Sequence, residues 1–134
     1  MIVVDTNIIA YLFLTSEQSL LCERALTKDS EWAAPFIWRS ELRNALTLYI
    51  RKNIIKLQHA HSIMDGAMGL LRGREYQASS YEVLRLASES NCSAYDCEFV
   101  AVANDLKIPL ITVDKQLLHE FPSVAVSLKA FCEP

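Results

Sequence analysis

The chain has 134 residues, 51% of them hydrophobic and only three of them glycine, which suits one compact, helix-rich domain and excludes a disordered tail. No apolar run is long enough to span a bilayer, and no basic leader precedes the apolar N-terminus, so neither membrane insertion nor a signal peptide is expected. Thirteen bases against sixteen acids leave a net charge of −3, which argues against a protein that coats nucleic acid by bulk charge alone.

Ile2, Val3 and Val4 form a β-branched run of the kind found in a strand covered on both faces. Asp5 ends the run, and Thr6 and Asn7 lead into an apolar helix beginning near Ile8. A carboxylate at the C-terminal end of such a strand either caps the next helix or lies at the sheet edge where α/β proteins bind ligands. Tyr11, Phe13 and Leu14 make that first helix unusually apolar. They are expected in the core, the alternative being an exposed groove suited to an amphipathic partner segment. Thr15 with Gln18 offers a capping box for a second helix through about Thr27. Glu31 to Ala34 then reads as a short strand stopped by Pro35.

The longest clear helix runs from Ile37 to Lys52, with Trp38, Leu42, Ala45, Leu46 and Tyr49 as its apolar stripe. Glu41 lies roughly 80° from the centre of that stripe at about 100° per residue, so it flanks the core and needs a partner. Arg39, Arg43, Arg51 and Lys52 give the same helix the chain's one marked basic bias, a solvated face or a surface for nucleic-acid backbone. A further helix is expected from Lys56 to Leu71, broken by Gly73, with Met64 and Met68 as core filler. His59 and His61 are two residues apart, which does not place them on one helical face, and they read as surface residues.

Glu75 to Gln77 reads as a short strand, and Ser79 with Glu82 caps a helix to about Ser90. Ser93 and Asp96 fit another capping box, opening a helix apolar on most of its circumference through Phe99, Val100, Val102, Ala103 and Leu106. Leu110 to Val113 then repeats the opening pattern, an apolar run ending in Asp114 and followed by a helix from Gln116 to Glu120. Val124 to Leu128 reads as a last strand. Strands and helices alternating over the whole length predict an α/β fold, a single domain over residues 1–134 with a central parallel sheet of about five strands flanked by helices. Cys22, Cys92, Cys97 and Cys132 lack zinc-site spacing and read as buried, reduced thiols of a cytoplasmic protein.

Right-handed crossovers bring the C-terminal ends of parallel strands to one edge, where Asp5, Glu41, Asp96 and Asp114 can all converge. Four carboxylates crowd together ionised only with cations between them, and an all-oxygen set suits Mg²⁺ or Mn²⁺. With those four set aside as ligands, twelve acids face thirteen bases. The chain here resembles the PIN domains, and among them the VapC-type toxin ribonucleases. The matching pieces are Val3-Val4-Asp5-Thr6-Asn7, Ser40-Glu41-Leu42-Arg43, Tyr95-Asp96-Cys97-Glu98-Phe99-Val100-Ala101-Val102-Ala103 and Leu110-Ile111-Thr112-Val113-Asp114. Each piece is short, but their order, spacing and the chain length together are specific.

The resemblance implies that Asp5, Glu41, Asp96 and Asp114 form a metal-binding catalytic quartet, with Asn7 and Thr112 as polar supports. It implies Mg²⁺- or Mn²⁺-dependent hydrolysis of RNA by metal-activated water, with Arg39, Arg43, Arg51 and Lys52 available to hold flanking backbone. It further implies a homodimer silenced by a small VapB-like antitoxin, a basic residue of which can enter the acidic pocket. Residues 54–73 match nothing in the family pattern. Two rival readings remain: a catalytically inert PIN-fold binding module, and a phosphoaspartyl enzyme. The second is weakened by Asn7, which stands where the haloacid-dehalogenase type has its second Asp.

Overall fold

A computed structural model describes residues 1–134. The opening run forms β1 (Ile2–Val4), the middle strand of a five-stranded sheet in which every pairing is parallel. All three residues of β1 are buried, which is why β-branched apolar side chains occupy it without alternation. After β1 come α1 (Thr6–Phe13), α2 (Ser19–Lys28), β2 (Trp32–Pro35), α3 (Trp38–Arg51), α4 (Leu57–Leu70) and β3 (Glu75–Tyr76). The second half supplies α5 (Ser80–Ser88), α6 (Ala94–Leu106), β4 (Leu110–Thr112), α7 (Lys115–Glu120), β5 (Ala125–Ser127) and α8 (Leu128–Cys132).

The strand order is β3-β2-β1-β4-β5. The chain winds outward from β1 to β3, returns, and winds the other way from β4 to β5. The reversal places a switch point between β1 and β4, and beyond the C-terminal ends of those strands such sheets leave a crevice. One core joins both halves: Trp32, Trp38, Val3, Val4, Leu110, Ile111 and Leu117 are fully buried and Phe99 nearly so. Each such large side chain contributes about 1.5–3 kcal/mol on leaving water.

Several expectations shift. Pro35 ends β2 from inside the strand instead of stopping it from outside, since its missing N–H falls at the last position. Thr15 does not cap α2. The helix begins later, with Gln18 at the cap position making no side-chain bond, and Ser19 ties the turn together by donating from Oγ to the carbonyls of Tyr11 and Leu14. Leu128 leaves the last strand for α8, which Ser127 caps. α1 starts earlier than expected, at Thr6.

Leu14 is buried, and Tyr11, Leu12 and Phe13 pack half-buried against the core, so the core reading holds and α1 carries no exposed apolar groove. The 54–73 segment is built into the fold through α4, whose Ala60, Ile63 and Ala67 are buried. A methyl group added at Gly66 would meet Phe13 Cε1 at 2.9 Å, so α4 and α1 meet closely there. Met64 and Met68 pack against the core, and His59 and His61 are exposed. All four cysteines are free thiols, with Cys132 only half-buried, and burial pushes Cys22 up to about 12 and Cys92 up to about 11. No helix is long and apolar enough to cross a membrane.

Candidate active site

Asp5 sits between β1 and α1, where it caps the helix and also stands at the sheet edge. Its Oδ1 accepts from the Thr6 N–H at 2.8 Å as the cap of α1, and its Oδ2 accepts from the Thr112 hydroxyl at 2.8 Å across the switch point. Its exposure is only 7%. The Thr112 hydroxyl in turn accepts from the Asp114 N–H at 3.0 Å, so one side chain at the end of β4 orients two of the acids. Asp114 lies just beyond β4 and caps α7, its Oδ1 accepting from the N–H groups of Gln116 and Leu117 at 2.8 and 3.1 Å.

Glu41 stands in the first turn of α3, where Thr6 donates to its Oε1 at 2.6 Å. Asp96 stands in the first turn of α6, its N–H donating to Ser93 Oγ at 3.0 Å. All four acids line one depression of about 290 Å³, with Thr6, Asn7 and Asn44 as polar neighbours and Ala10, Ala45 and Leu48 as apolar wall. Asn7 is exposed at its rim. Lys, Arg and His are absent from the lining.

Burial without a cation shows in the acidities. Burial raises Asp5 to about 6 against the hydrogen bonds from Thr112 and Thr6, and the charges of Glu41 and Asp96 raise it further. Glu41 is raised by burial and by Asp96, with the Thr6 hydroxyl opposing. Asp96 is raised by burial and by Asp114, with Ser93 opposing.

The donor chemistry fits a hard divalent cation: four carboxylates and several amide and hydroxyl oxygens, with no thiol or imidazole. The expectation that the four carboxyl groups meet at a common point needs correction. They share one pocket, in which no three of them are already gathered into a metal cluster. Asp5 and Asp114 each commit an oxygen to a helix cap instead.

The basic run of α3 is not one surface. Arg39 is committed to Glu75, its Nε and Nη2 donating to the two carboxylate oxygens at 2.6 Å each, and Trp38 Nε1 donates to the same Oε2 at 2.9 Å. Arg39 and Arg43 each lie two residues from Glu41, roughly 200° around the helix from it. Arg43 donates to Ser40 Oγ at 3.0 Å and is exposed. Arg51 and Lys52 are exposed at the far end of α3, about 15 Å along the axis at ~1.5 Å per residue.

Three residues near the site were not singled out from the sequence. Asn44 is three residues after Glu41, a spacing that puts it on the same face. Thr6 gave no signal beyond its place after Asp5, because its partner is thirty-five residues away. Glu98 is an acid in an otherwise apolar helix; it is half-buried and raised by burial and by the charge of Glu41.

Comparison with known proteins agrees with this architecture. The PIN domain model matches residues 2–123. A curated relative, Ribonuclease VapC3 of Pyrobaculum aerophilum, is 26% identical over 126 residues, covering 92% of this chain and 96% of the relative. Among solved structures, PAE2754 from Pyrobaculum aerophilum superposes with a TM-score of 0.78 at 20% identity, covering 98% of this chain and 92% of that one. FitAcB from Neisseria gonorrhoeae superposes at 0.76 and 15% identity, covering 96% and 99%. A toxin–antitoxin complex from Klebsiella pneumoniae superposes at 0.71 and 19% identity, covering 96% and 98%. With the family model spanning nearly its whole length and its fold shared with these structures, the chain belongs to the PIN domain family.

Proposed function

We propose that the protein is a ribonuclease that hydrolyses RNA phosphodiester bonds with Mg²⁺ or Mn²⁺, and that it is the toxin of a toxin–antitoxin pair. The observation that carries the reading is a single pocket lined by Asp5, Glu41, Asp96 and Asp114 with no cation of the chain facing them. Those four residues would hold the cation, which when bound neutralises the phosphate and activates water. The chain's own part is to position and charge the site. Thr112 fixes Asp5 against Asp114, and Thr6 fixes Glu41, so two hydroxyls hold three of the four acids in register. Without a cation, the same negative field repels a phosphodiester. In the net reaction water adds to phosphorus, the bond to the 3′ oxygen breaks, and a 5′ phosphate and a 3′ hydroxyl result. Asn7, exposed at the rim, is placed to meet the incoming strand.

The toxin assignment is supported by the ribonuclease named VapC3 and by the Klebsiella pneumoniae toxin–antitoxin complex. A homodimer and a small VapB-like antitoxin that sends a basic residue into the acid pocket are part of the same proposal. Single-stranded RNA incubated with purified protein tests it. Cleavage is expected with Mg²⁺ or Mn²⁺, not with EDTA, and not by Asp5→Ala or Asp96→Ala. Metal-independent cleavage, or cleavage that survives both substitutions, would overturn the reading.

A further inference from the structure

The C-terminal edge of the sheet carries a second concavity beyond the carboxylate pocket. A recess of about 410 Å³ opens where β2 and β3 end, walled by Phe36, Tyr76, Val83 and Leu84, with Gln77 and Glu98 at its polar side. Phe36 is 53% exposed although it follows directly on β2, and Leu84 is 65% exposed on α5. An aromatic ring left bare at a sheet edge gives a planar ligand a face to stack on.

Glu98 joins this recess to the acid pocket. It is on α6 one residue past Cys97, it faces the recess, and it is near enough to Glu41 for the two charges to interact. No donor of the chain reaches its carboxylate: the influences on it are burial and Glu41 alone. Glu75, the other half-buried acid on this side, is by contrast fully occupied by Arg39 and Trp38. Strands repeat at about 4.8 Å, so the ends of β2 and β3 lie about 5 and 10 Å along the edge from Asp5. That spacing puts the recess within reach of a base next to a phosphate held over the carboxylates.

We infer that this recess is a nucleobase subsite, that Phe36 stacks on the base, and that Glu98 selects guanine. A carboxylate offers two acceptors and no donor, and guanine is the base whose Watson–Crick edge presents two adjacent N–H donors to match it. Adenine and cytosine offer one amino group beside an acceptor nitrogen, which a carboxylate repels. Uracil offers a single N–H between two acceptors. The inference rests on the ribonuclease reading and names the sequence that the site prefers.

Two measurements separate the two readings. In binding, GMP is expected to bind about 10-fold more tightly than AMP, CMP or UMP, the scale of one stacked and correctly paired base. Glu98→Gln is expected to remove that preference, and Phe36→Ala to weaken all four nucleotides together, with circular dichroism confirming that both variants fold. In cleavage, a randomised single-stranded RNA library should be cut with guanine enriched at one fixed position from the break, and the enrichment should vanish in Glu98→Gln. Cleavage without base preference, or a guanine preference that Glu98→Gln keeps, overturns the subsite and leaves the ribonuclease standing. GMP binding through Glu98 with no cleavage of any RNA refutes the ribonuclease and keeps the subsite. If GMP fails to bind while a short arginine-containing peptide does, and Glu98→Gln abolishes that binding, the recess serves a protein partner and the inference is wrong.

Discussion

Two half-buried acid sites flank α3 and have opposite electrostatic characters. On one side Glu75 receives a two-pronged pair from Arg39 and a hydrogen bond from Trp38, and those donors hold its carboxyl below the usual carboxylate range. On the other side Asp5, Glu41 and Asp96 share a pocket without a cation, and all three are raised. Burial is the largest influence raising Asp5, Glu41 and Asp96, and it raises Glu75 as well, but there the Arg39 donors outweigh it. What differs is whether the chain supplies an opposite charge to offset burial. A carboxylate paired within the chain is part of the fold, while several left unpaired together make a receptor for a cation from outside.

The largest expected effect breaks the receptor and spares the fold. Asp5→Asn or Asp96→Asn should lower RNA cleavage by about 100- to 1,000-fold, the scale of losing one key electrostatic group. The melting temperature in EDTA should stay level or rise, because Asn retains much of the capping ability of Asp and removes a repelling charge. A large fall in melting temperature without metal would show these acids to be structural.

Next in size is the pH dependence of stability, measured by urea unfolding in EDTA. Asp5 is raised from 3.8 to about 6, so between those values the folded chain holds a proton that the unfolded chain has released. Stability from this group therefore falls as pH rises through that window, by about 3 kcal/mol in all, and Asp5→Asn should flatten the fall. Glu75 works with the other sign: its depressed value contributes stability that is present above its unfolded value and lost as pH falls through its folded one. Cleavage should rise with pH through about 6 as Asp5 ionises and metal binding strengthens.

Metal should sharpen the contrast by a similar amount. A divalent cation at a hundred times its Kd stabilises by about 2.7 kcal/mol if it binds only the folded chain. A rise in melting temperature with Mg²⁺ or Mn²⁺ is expected in the native chain and not in Asp5→Asn. Glu75→Gln should respond to the metal as the native chain does.

Smallest is the structural pair itself. Glu75→Ala should cost about 2 kcal/mol by leaving Trp38 and Arg39 without their acceptor, with RNA cleavage at permissive temperature retained. A loss of cleavage without a loss of stability would move Glu75, and the β3 side of α3, into the site.

Much of this was legible in the sequence because it is local. Apolar runs closed by Asp5 and Asp114, the Ser93 capping box and the helical stripe through Trp38 and Leu42 each depend on neighbours a few residues apart, which a one-dimensional pattern preserves. Alternation of those elements pointed to a parallel sheet, and such a sheet made one shared edge possible for the four acids, which line one pocket. Capping at Thr15 failed although its local pattern was good, because the Gln18 N–H that the box needed donates to Ser16 Oγ at 3.1 Å.

The chain alone therefore determined which acids end the strands and begin the helices. Only the tertiary structure decided which charges meet. Arg39 goes to Glu75 thirty-six residues on, Thr6 to Glu41 thirty-five residues on, and Thr112 to Asp5 across one hundred and seven. A side-chain hydrogen bond needs its atoms placed to within a few tenths of an ångström, and separations of that kind are fixed by how helices pack on the sheet. That packing gave Arg39 to the fold and left Asp5 and Glu41 without a counter-cation.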